Sequence, residues 1–215
     1  MLRDNARGHI QRILGFRSDL EAEIIQELQR AQRLLEQGKT LPWFLVAINQ
    51  EVETNPSSPT TIPTGFIREV EPARMRYYPD GDNSTTPVFL RKMSHIEAQI
   101  AYPSESPGTA EYPIAYNIYN DNLIQFYPRT ATTQTLYWDF YKKAAVLSTD
   151  IENVWLAHCP DLLIGMAGRQ MAQILGKQRA EKQFAEMAAA SWDAIFKETI
   201  LREVSGREYI IGRNS

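Results

Sequence analysis

Hydrophobic and polar positions divide the chain into a helical beginning, a middle of short extended runs and a helical end. From Ser18 to Gly38, Leu20, Ile24, Leu28, Ala31 and Leu35 recur at steps of four, four, three and four, which lays one apolar stripe along a helix. Ser18 and Glu21 have the S-x-x-E spacing of a capping box, in which the two side chains satisfy backbone N–H groups at the helix start. Gly38 is placed to close the helix in a left-handed cap, since it has no Cβ to strain. Residues 3–14 predict a shorter helix with Ile10, Ile13 and Leu14 on one side.

From Leu41 the helical period disappears. LPWFLVAINQEVET reads as extended, and NPSSPTTIPTG carries three prolines in eleven residues, which excludes a helix or a central strand. Residues 66–93 predict a short element, a strand, a turn at PDGDN and another strand. Ser94 and Glu97 form a second capping-box pattern, opening a brief helix over SHIEAQIA. After a proline-bearing loop, three strands are predicted in PIAYNIY, NLIQFYP and QTLYWDFYKK, the first two joined by Asn120-Asp121, a pair that tolerates positive φ. Helices return over residues 151–158, 161–176 and 178–204, with Gly176 and Gly206 as breaks.

This order predicts an α+β fold, a helical core from the N- and C-terminal helices with an inserted antiparallel β lobe and an extended C-terminal tail. The expected divisions are N-terminal core helices over 1–40, a β-rich lobe over 41–148, C-terminal core helices over 149–206, and a tail over 207–215. One strand is unusual. Leu136, Trp138 and Phe140 occupy one face, and Tyr137 and Tyr141 flank Asp139 on the other. A strand with one solvated face alternates apolar and polar residues, so this one is expected to touch something on both sides.

Composition narrows the function. Hydrophobic content of 43% and charged content of 23% are ordinary for a folded protein, and a net charge of −3 gives no basic excess for coating nucleic acid. No apolar run reaches the roughly 20 residues of a membrane span. The charged start, MLRDNARGHIQRILGF, does not read as a signal peptide. The single cysteine, Cys159, excludes an intrachain disulfide and fits a reducing cytoplasm.

Candidates for chemistry are few. No H-E-x-x-H, C-x-x-C, P-loop, G-x-G-x-x-G or G-x-S-x-G pattern occurs. His158-Cys159 invites a thiol-nucleophile reading, but a cysteine before a proline at a helix junction reads as packing. Glu51 with Glu53, and Glu69 with Glu71, are carboxylate pairs that read most simply as solvated. Gly165 and Gly168 in GMAGRQMAQ lie inside a helical stripe and predict close helix approach. Arg74, Arg76, Tyr77 and Tyr78 sit among Glu69, Glu71, Asp80 and Asp82, which favours strand packing or an interface over base stacking. No catalytic, cofactor-binding or metal-binding set is expected, and no enzyme activity. Tyr112, Tyr116, Tyr119, Tyr127, Tyr137 and Tyr141 cluster within thirty residues. Tyrosine is enriched in interfaces, so Tyr116, Tyr119, Tyr127, Tyr137 and Tyr141 are candidates for a subunit or tail interface.

Five stretches in order resemble the head-to-tail adaptor proteins of short-tailed bacteriophages. They are Leu41-Pro42-Trp43-Phe44-Leu45, the IPTGFIRE run from Ile62 to Glu69, Ile124-Gln125-Phe126-Tyr127-Pro128, Leu136 to Tyr141, and Asn153 to Leu163. The resemblance covers about residues 10–200. It implies a structural virion protein at the head–tail junction, assembled in the host cytoplasm, without a cofactor and without a membrane. It implies a homo-oligomeric ring, twelve-fold in such adaptors, that binds under the portal protein and meets a tail or nozzle protein. Phage DNA then passes through the lumen without sequence-specific binding. The resemblance also implies that the C-terminal segment reaches the portal, which makes Arg207, Tyr209, Ile210, Ile211 and Arg213 the candidate portal-binding residues. Tyr209, Ile210 and Ile211 are apolar where an unbound tail is normally polar. Another phage tail ring or terminator protein, a cell-wall or nucleic-acid hydrolase, and a cytosolic scaffold stand as alternatives.

Overall fold

The computed structural model describes residues 2–71, 75–79, 86–103, 110–119, 122–148 and 152–211, with residues 203–211 as backbone only. In chain order the elements begin with α1 (Arg3–Ile13), α2 (Glu21–Glu36), β1 (Val46–Glu53), β2 (Thr60–Thr61) and β3 (Phe66–Glu69). They continue with β4 (Arg76–Tyr77), β5 (Val88–Phe89), β6 (Arg91–Lys92), α3 (His95–Ala101), β7 (Ala115–Tyr119), β8 (Leu123–Tyr127) and β9 (Thr135–Lys142). The chain then returns to helix in α4 (Val154–His158), α5 (Pro160–Ile174) and α6 (Gln178–Ile211). The fold is α+β. Two compact units divide it, Met1–Leu45 with Lys143–Ser215, and Val46–Lys142.

The helical unit is built around α5. Helix α1 buries Ala6 and Ile10, with Leu14 just beyond its end, and α2 buries Ile24, Leu28, Ala31 and Leu35, the stripe that its spacing predicts. Gly165 and Gly168 of α5 set the approach of α6. A Cβ on Gly165 would lie 2.8 Å from the backbone nitrogen and Cβ of Ala188 and from the Phe184 carbonyl oxygen. On Gly168 it would lie 2.5 Å from the fully buried Phe184 ring. Close approach therefore buries a phenyl group, a gain of about 1.5–3 kcal/mol.

Helices α1 and α5 end alike. Gly15 (φ +85°) donates its N–H to Arg12 O at 3.3 Å and Phe16 to Gln11 O at 2.7 Å; Gly176 (φ +65°) donates to Gln173 O at 3.1 Å and Lys177 to Ala172 O at 2.8 Å. This pairing satisfies terminal carbonyls and requires a left-handed residue, which glycine supplies without Cβ strain. Lys177 Nζ then donates to the Leu14 carbonyl and ties the two helix ends together.

Three end signals differ from their sequence pattern. Ser18 caps nothing, because Ser18–Leu20 forms a 3-10 turn, α2 starts from Leu20, and the Glu21 carboxylate instead accepts from Arg7 at 2.9 Å. The ion pair with α1 takes the group that the capping box needed. Gly38 is not left-handed; its N–H donates to Leu35 O at 3.1 Å, two residues beyond the end of α2. Helix α6 runs through Gly206 to Ile211. One interior glycine costs a helix only about 1 kcal/mol, too little to end it without a competing cap. At α3 the pattern holds, with Ser94 Oγ accepting from Glu97 N–H and the Glu97 carboxylate accepting from Ser94 N–H.

The β unit holds two sheets. One has the order β1-β9-β4-β5, with β3 also paired to β9; the other has the order β2-β8-β7-β6. All pairings between named strands are antiparallel except β6 with β7, which is parallel. A single cluster joins residues of both sheets, including Met75, Leu90, Tyr116, Ile124, Phe126, Leu136, Trp138 and Phe140. The proline-rich stretch contributes only β2, two residues at a sheet edge, where the missing N–H groups of proline do least harm. The predicted turns at PDGDN and Asn120-Asp121 fall on or next to residues outside those described.

Two glycine substitutions test the packing by opposite signs. Gly165→Ala forces a methyl group against α6 backbone and is expected to destabilise by roughly 1–3 kcal/mol. Gly8→Ala meets nothing within 4 Å on α1 and is expected to stabilise by about 0.5–1 kcal/mol. Urea unfolding curves of both variants decide the point; equal midpoints contradict the close-approach role of Gly165.

Candidate functional site

The surface of interest starts from strand β9, central in its sheet. Its inward residues Leu136, Trp138 and Phe140 are fully buried. On the other face Asp139 accepts from Arg76 through both oxygens, at 2.9 and 3.2 Å, and from the Asn49 N–H at 2.7 Å. Arg76 also reaches Asn49 Oδ1. Asn49 (φ +53°) lies where β1 shifts register against β9, and that irregularity aims its N–H at the carboxylate. Burial opposes the charge on Arg76, yet the hydrogen bonds and charges of Asp139 and Tyr78 together outweigh it and hold the guanidinium pKa above its ordinary value. The second face of β9 is thus organised by a bidentate ion pair, a geometry that fixes orientation as well as charge.

The candidate tyrosines separate around this pair. Tyr116 lies in the β unit's core at 1% exposure, its hydroxyl donating to Glu69, and Tyr141 is buried at 8% with Arg68 5.3 Å from its ring centroid. The fold of the single chain already covers both rings. Tyr119, Tyr127 and Tyr137 are half-buried. Tyr127 stacks on Tyr102 at 5.4 Å, and Tyr137 meets the edge of Tyr78 at 5.4 Å. Tyr112 stacks flat on Tyr77 at 4.2 Å. Arg74 is outside the described residues. Arg76, Tyr77 and Tyr78 pack on neighbours within the β unit, as strand-packing residues do.

Glu69 is not the solvated carboxylate that its spacing with Glu71 predicts. It accepts from Trp138 Nε1 at 3.2 Å, from the Tyr116 hydroxyl and from Lys92, and its side chain is 12% exposed. Its role comes from partners 23, 47 and 69 residues away in the chain, which an i, i+2 pattern cannot reveal. Glu51 and Glu53 are exposed on either side of buried Val52, as solvated charges are. His158 stacks on Phe44 at 4.9 Å, and Cys159 is buried with its thiol pushed up to about 12 by burial. A thiol so placed holds its proton at neutral pH, so the pair is packing. Of the candidate portal-binding residues, Arg207, Tyr209, Ile210 and Ile211 continue the helical backbone of α6, and Arg213 lies outside the described residues.

The chain belongs to the SU10 adaptor protein family, whose model matches residues 2–214. It is a phage structural adaptor protein. No curated protein matches the chain. No described helix is long and apolar enough to cross a membrane.

Substitution at Glu69 separates acceptor from charge. Glu69→Gln keeps an oxygen for Trp138 and Tyr116 and loses only a half-exposed pairing with Lys92, so the expected cost is below about 1 kcal/mol. Glu69→Leu takes the acceptor away from the buried Trp138 N–H, at roughly 1–3 kcal/mol. Chemical denaturation of both variants reads the difference, and equal losses contradict it.

Proposed function

We propose that this adaptor assembles side by side into a closed ring under the portal vertex and carries the DNA channel from the portal to the tail. The family match over residues 2–214 carries the reading. In the ring each subunit presents different surfaces to its two neighbours, so a β unit with half-buried tyrosines has somewhere to place them. Tyr119, Tyr127 and Tyr137 serve that interface, or the contact with the tail or nozzle protein. Arg207, Tyr209, Ile210, Ile211 and Arg213 serve the portal. Twelve copies follow from the resemblance to adaptors of short-tailed phages. DNA passes the lumen without sequence-specific contacts, in keeping with a net charge of −3. The ring is built in the host cytoplasm and remains at the head–tail junction of the virion.

Two variants test the proposal separately. Removal of residues 207–215 is expected to abolish co-sedimentation with the portal while leaving the thermal transition in place, because the described core lies upstream. Tyr137→Ser is expected to weaken assembly on the portal roughly tenfold or more, the scale of an aromatic anchor, with a smaller effect on unfolding. Wild-type portal binding by the truncated chain contradicts the assignment of the tail, and a parallel loss of fold and assembly in Tyr137→Ser makes that ring part of the core.

A further inference from the structure

Two free strand edges of the β unit face one groove. Among the described strands, β1 is an edge of one sheet and β2 an edge of the other. Between them lies an open groove of about 680 Å³, whose lining includes Glu51, Glu53, Ser58, Thr60, Thr61 and Thr133. Ligand sites span roughly 300–1,000 Å³.

The register fixes which backbone groups point away from the sheets. Thr54 N–H donates to Gln134 O at 2.9 Å, at the end of a ladder that pairs Val52 with Leu136 and Glu51 with Tyr137. Antiparallel pairing alternates, so Val52 bonds to β9 as Thr54 does, while the N–H and C=O of Glu51 and Glu53 point away from it. On β2, Ile62 N–H donates to Asn122 O at 2.9 Å, and Thr61, paired with Leu123, turns its backbone groups away from β8 in the same manner. Thr60 Oγ1 takes up the Glu53 carbonyl at 2.8 Å and ties the two edges together there. The N–H and C=O of Glu51 and Thr61 and the N–H of Glu53 remain, a set of donors and acceptors that a further strand would satisfy.

Charge decides what kind of strand fits. Glu51 and Glu53 are exposed, stand two residues apart on one side of β1, and form no ion pair among the described residues. The lining holds no Lys, Arg or His. Arg129 donates to the Ser57 carbonyl at 3.2 Å and is not part of the lining. Opposite charges facing each other across two strands stabilise the pair, and like charges oppose it. The β1 edges of two copies therefore repel each other, as charged edges ordinarily do. No described strand of this chain carries cations two residues apart, since Arg91 and Lys92 of β6 are adjacent and point to opposite faces. A second copy thus has no matching strand to offer.

We infer that this groove is a strand-addition site, which takes an extended segment of a partner protein with Lys or Arg at alternate positions beside β1. In this mode main-chain bonds give affinity and alternate side chains give specificity. The inference goes beyond the ring reading and does not depend on it.

The test titrates two fluorescein-labelled peptides into the full chain, one alternating threonine with lysine over seven residues and one alternating threonine with glutamate. The lysine peptide is expected to bind roughly tenfold or more tightly than its counterpart and to slow amide hydrogen exchange at Glu51, Glu53 and Thr61. The double variant Glu51→Gln, Glu53→Gln is expected to lose roughly tenfold in affinity at an unchanged melting temperature, because both carboxylates are exposed and unpaired. Full backbone N-methylation of the lysine peptide keeps its charge, removes its edge donors and is expected to abolish binding. No binding of the lysine peptide, equal affinity for the two peptides, or wild-type affinity of the double variant overturns the site. Undiminished binding of the methylated peptide overturns it too, since the groove then attracts cations without adding a strand.

Discussion

A buried carboxylate fastens the point where the chain re-enters its helical unit. Glu36, near the end of α2, accepts through one oxygen from Gln32 at 2.9 Å, from the Ala144 N–H at 3.1 Å and from Trp155 Nε1 at 3.2 Å. Asn153 extends the network, donating to Gln32 Oε1 at 3.3 Å and to the Ala145 carbonyl, while its own oxygen caps α4 by accepting from Trp155 N–H. An isolated buried charge is costly, and only a full set of donors offsets that cost. The donors come from both sides of a 97-residue insertion, Val46–Lys142. Everything C-terminal to the β unit, including the helix that α5 packs against, depends on this return being placed.

The β unit repeats the device. Glu69 collects an indole N–H, a tyrosine hydroxyl and a lysine, and Asp139 collects Arg76 and the Asn49 N–H. Each carboxylate takes donors from separate strands, so each fixes register as well as position. Polar networks of this kind leave little freedom when satisfied and cost heavily when broken. Such rigidity suits a structural adaptor protein. The helical unit adds a second aromatic group, with Phe44 edge-on to Trp155 at 5.1 Å and Arg202 3.6 Å over Trp43. Arg202 thereby anchors the later part of α6 to the segment between α2 and β1.

Local pattern made much of this legible, and long-range chemistry did not. The stripe from Ile24 to Leu35, the three strands of the aromatic stretch, the capping box at Ser94 and the α+β class all follow from spacing within a few residues. The two-sided character of β9 was visible as well, although its second face is covered in part by Arg76, Tyr78 and Arg68 of the same unit. Ser18 and Gly206 show the limit. Both carry correct local signals, overridden at Ser18 by the Arg7–Glu21 ion pair and at Gly206 by continuing helix formers. Glu36 and Glu69 were invisible because their donors lie up to 119 residues away.

The most direct measurement is the mass of the protein alone and after mixing with its portal ring. A chain of 24.6 kDa that appears on the portal in a fixed multiple, with every portal ring carrying the same number of copies, is the predicted result. A chain that keeps its own mass in the presence of the portal contradicts the account.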